Sequence, residues 1–312
     1  MRVLRVRWAF LCALLALTCC GAASFSRQPD LGSPSRSPRA AAPIQAAQQT
    51  QLPNASDSLK FAVIGDNGTG DPPQYDIAKQ MLVSHEKFPF TFVVMMGDNI
   101  YGSERPQDFL VKFQKPYQPL LDAGVKFYAS LGNHDSREQR SYEYYNMGGK
   151  VYYSFKPPKQ NARFFALEST YMDQDQLAWI EKELESSNED WKICFFHHPL
   201  YSSARTHGSE LKLRAALEPL FIKYGVSLVL NGHDHVYERI KPQNGITYFV
   251  EGSSGQLRSG DLRKDSPLTA KGFDTDQTFM MMEIEGDQLA FETISRKGNV
   301  VDSGTIERRK KP

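Results

Sequence analysis

The sequence predicts an α/β domain in which strands alternate with helices and an antiparallel piece closes the chain. Three observations carry that class. Short apolar runs rich in β-branched and aromatic residues recur from about residue 58 onward. Several are apolar on both faces, as strands covered on both sides must be. Segments of helical period lie between some of them.

Taken in order, the predicted strands are LKFAVIG (59–65), FTFVVMMG (90–97), KFYASLG (126–132), RFFALES (163–169), WKICFFH (191–197), VSLVLNG (226–232), ITYFVEG (246–252) and TFMMMEI (278–284). DQDQLAWIEKELESS (173–187) places Leu177, Ile180 and Leu184 at helical spacing, with Asp173 as its cap. ELKLRAALEPLFIKYG (210–225) is a second helix, stopped at Gly225. IEGDQLAFE (284–292) reads as a hairpin turning at Gly286-Asp287. No internal repeat is visible.

The 312 residues suffice for one large domain or two small ones, and a formal charge of +1 argues against a dedicated nucleic-acid surface. Residues 1–23 read as an export signal. Arg2, Arg5 and Arg7 precede the apolar stretch WAFLCALLALTCC, which is too short to span a bilayer comfortably, and Gly21 and Ala23 are small residues at a cleavage point. LTCC also loosely resembles a lipobox, with Cys20 as the acylated residue and the only route to a membrane. The expected destinations are therefore secretion, a periplasm or a lipid-anchored place at the cell surface. Cleavage leaves Cys194 alone and 34 basic against 36 acidic residues. The mature domain then has no internal disulfide, and its stability must come from its core. Residues 24–57, rich in Ser, Pro, Ala and Gln, read as a tether, 58–307 as the catalytic domain and 308–312 as a solvated basic tail. Asn54 heads the sequon NAS.

Five predicted strands end in polar residues that a core would reject: IGDNG (64–68), MGDNIY (96–101), LGNHD (131–135), FFHHP (195–199) and NGHDH (231–235). Ligands bind outside the carboxyl ends of strands in open α/β sheets, which is where all five clusters fall. The glycine before Asp66, Asp98, Asn133 and His233 is read as letting the chain turn sharply there. Five of the seven histidines lie in these clusters, His207 follows shortly after one, and His85 stands alone as a surface residue. Histidine with carboxylate suits a pair of transition-metal ions. Asp98 can use both oxygens to bridge two ions roughly 3.5–4 Å apart. Tyr101, three residues on, can then offer a phenolate, a hard donor suited to a trivalent ion such as iron.

The five clusters resemble the signature of the calcineurin-like metallophosphoesterases, and more closely that of their purple acid phosphatase branch. GDNG, GDNIY, GNHD, CFFH and GHDH stand against its GDxG, GDxxY, GNH(D/E), VxxH and GHxH in the same order, over roughly residues 58–306, with one mismatch, Cys194 in place of Val. Most other branches carry a ligating His where this chain has Gly68, and Tyr101 occupies the place from which the purple branch supplies a replacement. Because the tether runs almost straight into the first strand, the chain resembles the compact, tartrate-resistant form.

The resemblance implies a four-layer α/β/β/α sandwich of two mixed sheets flanked by helices. By matching position it implies Asp66, Tyr101 and His235 as terminal ligands of Fe(III), and Asn133, His197 and His233 as terminal ligands of a divalent ion (Fe, Zn or Mn), with Asp98 bridging. His197 precedes His198 as the ligand because the motif is followed by one residue and then Pro199, which puts His198 behind the ligands. His134 and His207 would hold the phosphate, and one of them would protonate the leaving oxygen. Ions of total charge +5 against three anionic ligands leave +2 to attract a phosphate ester. The implied activity is that of an acid phosphatase, hydrolysing small phosphate monoesters by direct attack of a metal-bound hydroxide, in a protein read as a monomer. Two alternatives stay open: a phosphodiesterase or nucleotidase with the same site, and a non-catalytic surface protein binding metal or phosphate.

Overall fold

The computed structural model describes residues 52–310. The export signal, the lipobox cysteine Cys20 and most of the tether lie outside the described residues. The strands are β1 (Leu59–Ile64), β2 (Phe92–Met96), β3 (Lys126–Ser130), β4 (Tyr153–Phe155), β5 (Ala162–Ala166), β6 (Trp191–Phe195), β7 (Leu228–Asn231), β8 (Tyr237–Gln243), β9 (Ile246–Glu251), β10 (Thr269–Phe273), β11 (Thr278–Glu285), β12 (Gln288–Ser295) and β13 (Val300–Glu307). The helices are α1 (Pro72–His85), α2 (Pro106–Phe109), α3 (Lys115–Asp122), α4 (Gln174–Ser186) and α5 (Leu211–Tyr224), with a π-helical turn, Leu110–Gln114, joining α2 to α3.

They form two mixed sheets, ordered β13-β12-β11-β1-β2-β3 and β10-β8-β9-β7-β6-β5-β4. In the first, β1, β2 and β3 run parallel, while β11 lies antiparallel to β1 and continues into the β12–β13 meander. In the second, β5, β6, β7 and β9 run parallel. The sheets face each other through aromatic side chains. Phe61 and Phe92 stack at 5.3 Å, and the edge of Phe164 from the opposite sheet meets them at 5.2 and 5.4 Å. Helices α4 and α5 cover the outer face of the second sheet.

Strand alternation explains why these runs are apolar throughout. In β6, Ile193 and Phe195 point into the inter-sheet core, while Cys194 points to the layer holding Ile180, Leu184, Leu217 and Phe221 of the helices. Cys194 is fully buried and acts as a small hydrophobe. The predicted four-layer α/β/β/α sandwich is the observed one.

Local signals also hold. Asp173 caps α4 by accepting from Gln176 N at 2.8 Å, Gly225 ends α5 at φ +73°, and Gly286-Asp287 turns the β11–β12 hairpin, with Glu285 paired to Gln288. The helical stretch from Pro106 to Asp122 escaped the pattern because Pro116 and Pro119 interrupt it. His85, read as a plain surface residue, is half-buried edge-on against Phe90 at 4.9 Å. The hydrogen-bonded body overruns both expected boundaries. Asn54 N and Ala55 N donate to Glu283 at 2.6 and 2.7 Å, and Asn54 Nδ2 donates to Lys87 O. At the other end, Arg309 Nη1 donates to the carbonyls of Phe221 and Ile222 in the last turn of α5, where cations are favoured. Arg308 donates to Asp287 at 2.7 Å. The start of the basic tail is therefore docked on the domain.

Candidate metal centre

The C-terminal ends of β1, β2 and β3 from one sheet meet those of β6 and β7 from the other, and the loops leaving them bring every expected donor together. Asp66 Oδ1 lies 3.1 Å from Tyr101 Oη and 3.4 Å from His235 Nε2, and Tyr101 Oη lies 3.2 Å from His235 Nε2. In a second set, His197 Nε2 lies 3.0 Å from Asn133 Oδ1, 3.1 Å from His233 Nδ1 and 3.5 Å from Asp98 Oδ1. Asp98 belongs to both neighbourhoods, because its carboxylate also groups with Asp66 and His235. His198 stands near His197 and His233 as well, while its Nδ1 lies 2.9 Å from Ser169 Oγ.

These side chains fit a pair of cations. Bonds of about 2.0–2.1 Å give donor–donor edges of about 2.8–3.4 Å in octahedral and tetrahedral sites. Most of the separations fall there. The electrostatics point the same way. Burial, and then the neighbouring Asp98, push Asp66 well above the ordinary carboxylate range. Burial and the two carboxylates push the Tyr101 phenol up. Burial also drives His197 and His233 far below the usual imidazole range and His235 down to about 4. Neutral imidazoles are what a metal requires, and a cation reverses the penalty on the acids. His197 Nδ1 faces Met96 O at 2.8 Å, an atom that only accepts. Nδ1 therefore carries the proton, and Nε2 presents its lone pair to the centre.

The glycines act differently from the expectation. Among the four that precede these residues, only Gly97 has positive φ, at +86°, and the left-handed conformations fall on Asp66 (+52°), Asp98 (+50°) and His233 (+70°) themselves. Such strain collects at functional sites. The glycines instead make room: a Cβ on Gly132 would stand 2.2 Å from Asp98 Oδ1, and one on Gly232 would stand 2.4 Å from Asp66 Oδ2. Gly68 has the same reason. Its Cβ would lie 1.9 Å from Asn99 O, where the first two loops are joined by Gly68 N to Asp98 O and Tyr101 N to Gly68 O at 2.9 Å. Tyr101 is held from behind by Lys112, on the π-helical turn, whose Nζ donates to Tyr101 O at 2.6 Å.

The rings of His134 and His207 flank the donors: His134 lies 4.9 Å from Tyr101 and His207 lies 4.2 Å from His233. Both are exposed. His134 N donates to Asp98 Oδ1 and His233 N to Asp66 Oδ2, at 3.0 and 2.8 Å. Two carboxylates inside the quoted motifs were given no role by the sequence reading. Asp135 accepts from Asn99 N, Ile100 N and Gly132 N and so ties the second and third loops together. Asp234 accepts from Ser202 Oγ and Gly208 N and fixes the segment bearing His207. Their signal was a carboxylate beside ligands in GNHD and GHDH.

Glu251 was also missed. It is fully buried beneath Thr278, which donates to it at 2.9 Å, and burial pushes it up to about 8. An unfolded Glu ionises near 4.3, so the folded chain keeps a proton that the unfolded chain gives up. Glu251 therefore makes the fold lose stability as pH rises from about 4.3 through 8. Tm measured across that range should decline less steeply in Glu251→Gln than in the parent; parallel curves would assign the decline to other groups.

A four-layer αββα sandwich with two sets of metal-type donors sharing one aspartate at the strand ends defines a metal-dependent phosphoesterase. The model of the calcineurin-like phosphoesterase family matches residues 59–237, and the chain belongs to that family and to its purple acid phosphatase branch, a class of dinuclear-metal, acid-phosphatase-type phosphoric ester hydrolases. Purple acid phosphatase 4 of Arabidopsis thaliana is 31% identical over 79% of this chain and 83% of its own length. Tartrate-resistant acid phosphatase type 5 of Homo sapiens is 23% identical over 85% and 97%. Among solved structures, purple acid phosphatase PPD1 from yellow lupin seeds superposes with a TM-score of 0.67 at 22% identity, over 83% of this chain and 55% of that one. GAP50, described as the anchor in the inner membrane complex of Plasmodium, superposes with a TM-score of 0.72 at 21% identity, over 81% and 90%. At those identities the structural likeness speaks for the fold.

Proposed function

We propose that this protein is an exported phosphatase that hydrolyses phosphate monoesters. In this reading Asp66, Tyr101 and His235 hold Fe(III), Asn133, His197 and His233 hold a divalent Fe, Zn or Mn ion, and Asp98 serves both. The observation that carries it is the convergence of seven donor side chains into two sets around one shared carboxylate. Bound there, the cations would supply positive charge for phosphoryl oxygens and a water of lowered pKa.

The chain's own part follows from its geometry. The His197 Nδ1–H bond to Met96 O fixes the ring and its tautomer. The backbone N–H groups of His134 and His233 orient the two aspartates. His134 lies against Tyr101 and His207 against His233, both exposed, where they bind the phosphate, and one of them delivers the proton that the leaving oxygen needs. Export rests on the basic start and apolar stretch of residues 1–23, with anchoring through Cys20 as its variant; the substrate is a small phosphoester and the active form a monomer.

The purified protein should absorb visible light through a phenolate-to-iron transition, and Tyr101→Phe should bleach that band. An unchanged band would remove Tyr101 from the ligand set. Metal analysis with turnover on aryl monoesters and diesters separates this reading from a diesterase and from a non-catalytic binder.

A further inference from the structure

Arg258 is a charged group beside the centre that the chemistry above leaves unused. It lies on the loop following β9, and its backbone N–H donates to His235 O at 2.9 Å. The same loop is bound to the segment carrying His207: Thr206 Oγ1 donates to Asp261 Oδ1 at 2.7 Å, and Arg205 N donates to Asp261 O at 2.9 Å. Arg258 thus stands between the two segments that present His235 and His207. Its charge is close enough to lower the basicity of both imidazoles, after the larger effect of burial.

One arm of the guanidinium has only a long ion pair and no hydrogen bond. About a third of the side chain (35%) faces solvent, yet Nη1 is buried and has no hydrogen-bond partner among the described residues. The nearest carboxylate oxygen, Asp261 Oδ2, is 3.9 Å away and is itself unbonded. A charge-assisted hydrogen bond would measure about 2.7–2.9 Å. An arginine serving only as a salt bridge would close that gap, because an unsatisfied buried N–H is costly. The solvent-facing third of the side chain is the part that an oxyanion entering beside His207 and His235 would meet.

We infer that Arg258 binds a terminal phosphoryl oxygen of the substrate and thereby selects phosphate monoesters over diesters. The inference rests on the phosphatase reading. A monoester offers three terminal oxygens and close to two negative charges near neutral pH, whereas a diester offers two oxygens and one charge. A guanidinium, which stays positively charged, favours the more highly charged of the two.

The test uses metal-loaded parent, Arg258→Gln and Arg258→Lys. It compares kcat/KM on para-nitrophenyl phosphate with that on bis(para-nitrophenyl) phosphate, and measures inorganic phosphate binding by calorimetry. Arg258→Gln should lose about tenfold to a hundredfold on the monoester. That loss should be at least several times its loss on the diester, with a matching drop in phosphate affinity. Arg258→Lys should recover part of both, with metal content and Tm unchanged. Equal losses on the two esters, or unchanged phosphate affinity, would overturn the inference. So would a fall in Tm and metal content that Asp261→Asn reproduces, since that assigns Arg258 to anchoring its loop. Phosphate binding needs no turnover. A parent that binds phosphate but hydrolyses neither ester would end the phosphatase reading, while the comparison of affinities still decides Arg258.

Discussion

Replacing Asp98 by Asn should abolish phosphatase activity and weaken retention of both metals. The substitution keeps the shape of the side chain and one oxygen able to accept from His134 N, so the fold survives. What it removes is the charge that both donor sets share. Losing a group that merely orients a ligand costs about ten- to a hundredfold in affinity or activity. Losing a ligand common to two cations should exceed that, and kcat/KM should fall by more than about a hundredfold. The metal-free form gives an independent readout. Asp98 is the main charge raising Asp66, so the metal-free variant should be more stable to heat than the metal-free parent. Full activity with both metals retained would rule out the shared role.

The second large effect is expected at a residue with no side chain. Gly68→Ala places a Cβ about 1.9 Å from Asn99 O, against backbone that cannot swing aside. Overpacking of this kind costs about 1–3 kcal/mol, and a domain of this size loses about 2–4 °C of Tm per kcal/mol. A Tm lower by about 2–12 °C is expected. The same shift opens the contact of Tyr101 N with Gly68 O, so the visible band assigned to Tyr101 should weaken too. Placing His at this position, as other branches of the superfamily have it, should therefore destabilise the centre and add no ligand. Unchanged Tm and spectrum in Gly68→Ala would mean that the two loops are not locked together here.

The strands that place the centre were legible because they are buried on both faces and end in polar residues. β6 shows this: inward Ile193 and Phe195 alternate with outward Cys194, and His197 follows at once. The exposed edge strand β10, with the sequence TAKGF, carried no such signal, and the prolines of α3 hid a helix. The nine side chains expected at the site lie near one another. The supports were not legible as such. Asp135, Asp234 and Glu251 act through backbone and hydroxyl partners that the folded chain brings near; GNHD and GHDH mark a carboxylate beside the expected ligands but not what it clasps. The role of the glycines was misread for the same reason: what crowds Gly132 and Gly232 is a carboxylate far away in sequence.

The centre draws on both sheets, with Asp66, Asp98, Tyr101 and Asn133 from one and His197, His233 and His235 from the other. Neither half of the chain can assemble it alone. During synthesis the expected donor set is complete only once His235 has been made, about 170 residues after Asp66. Cations held there would be loaded after both sheets have formed, and would act as a rivet between the layers.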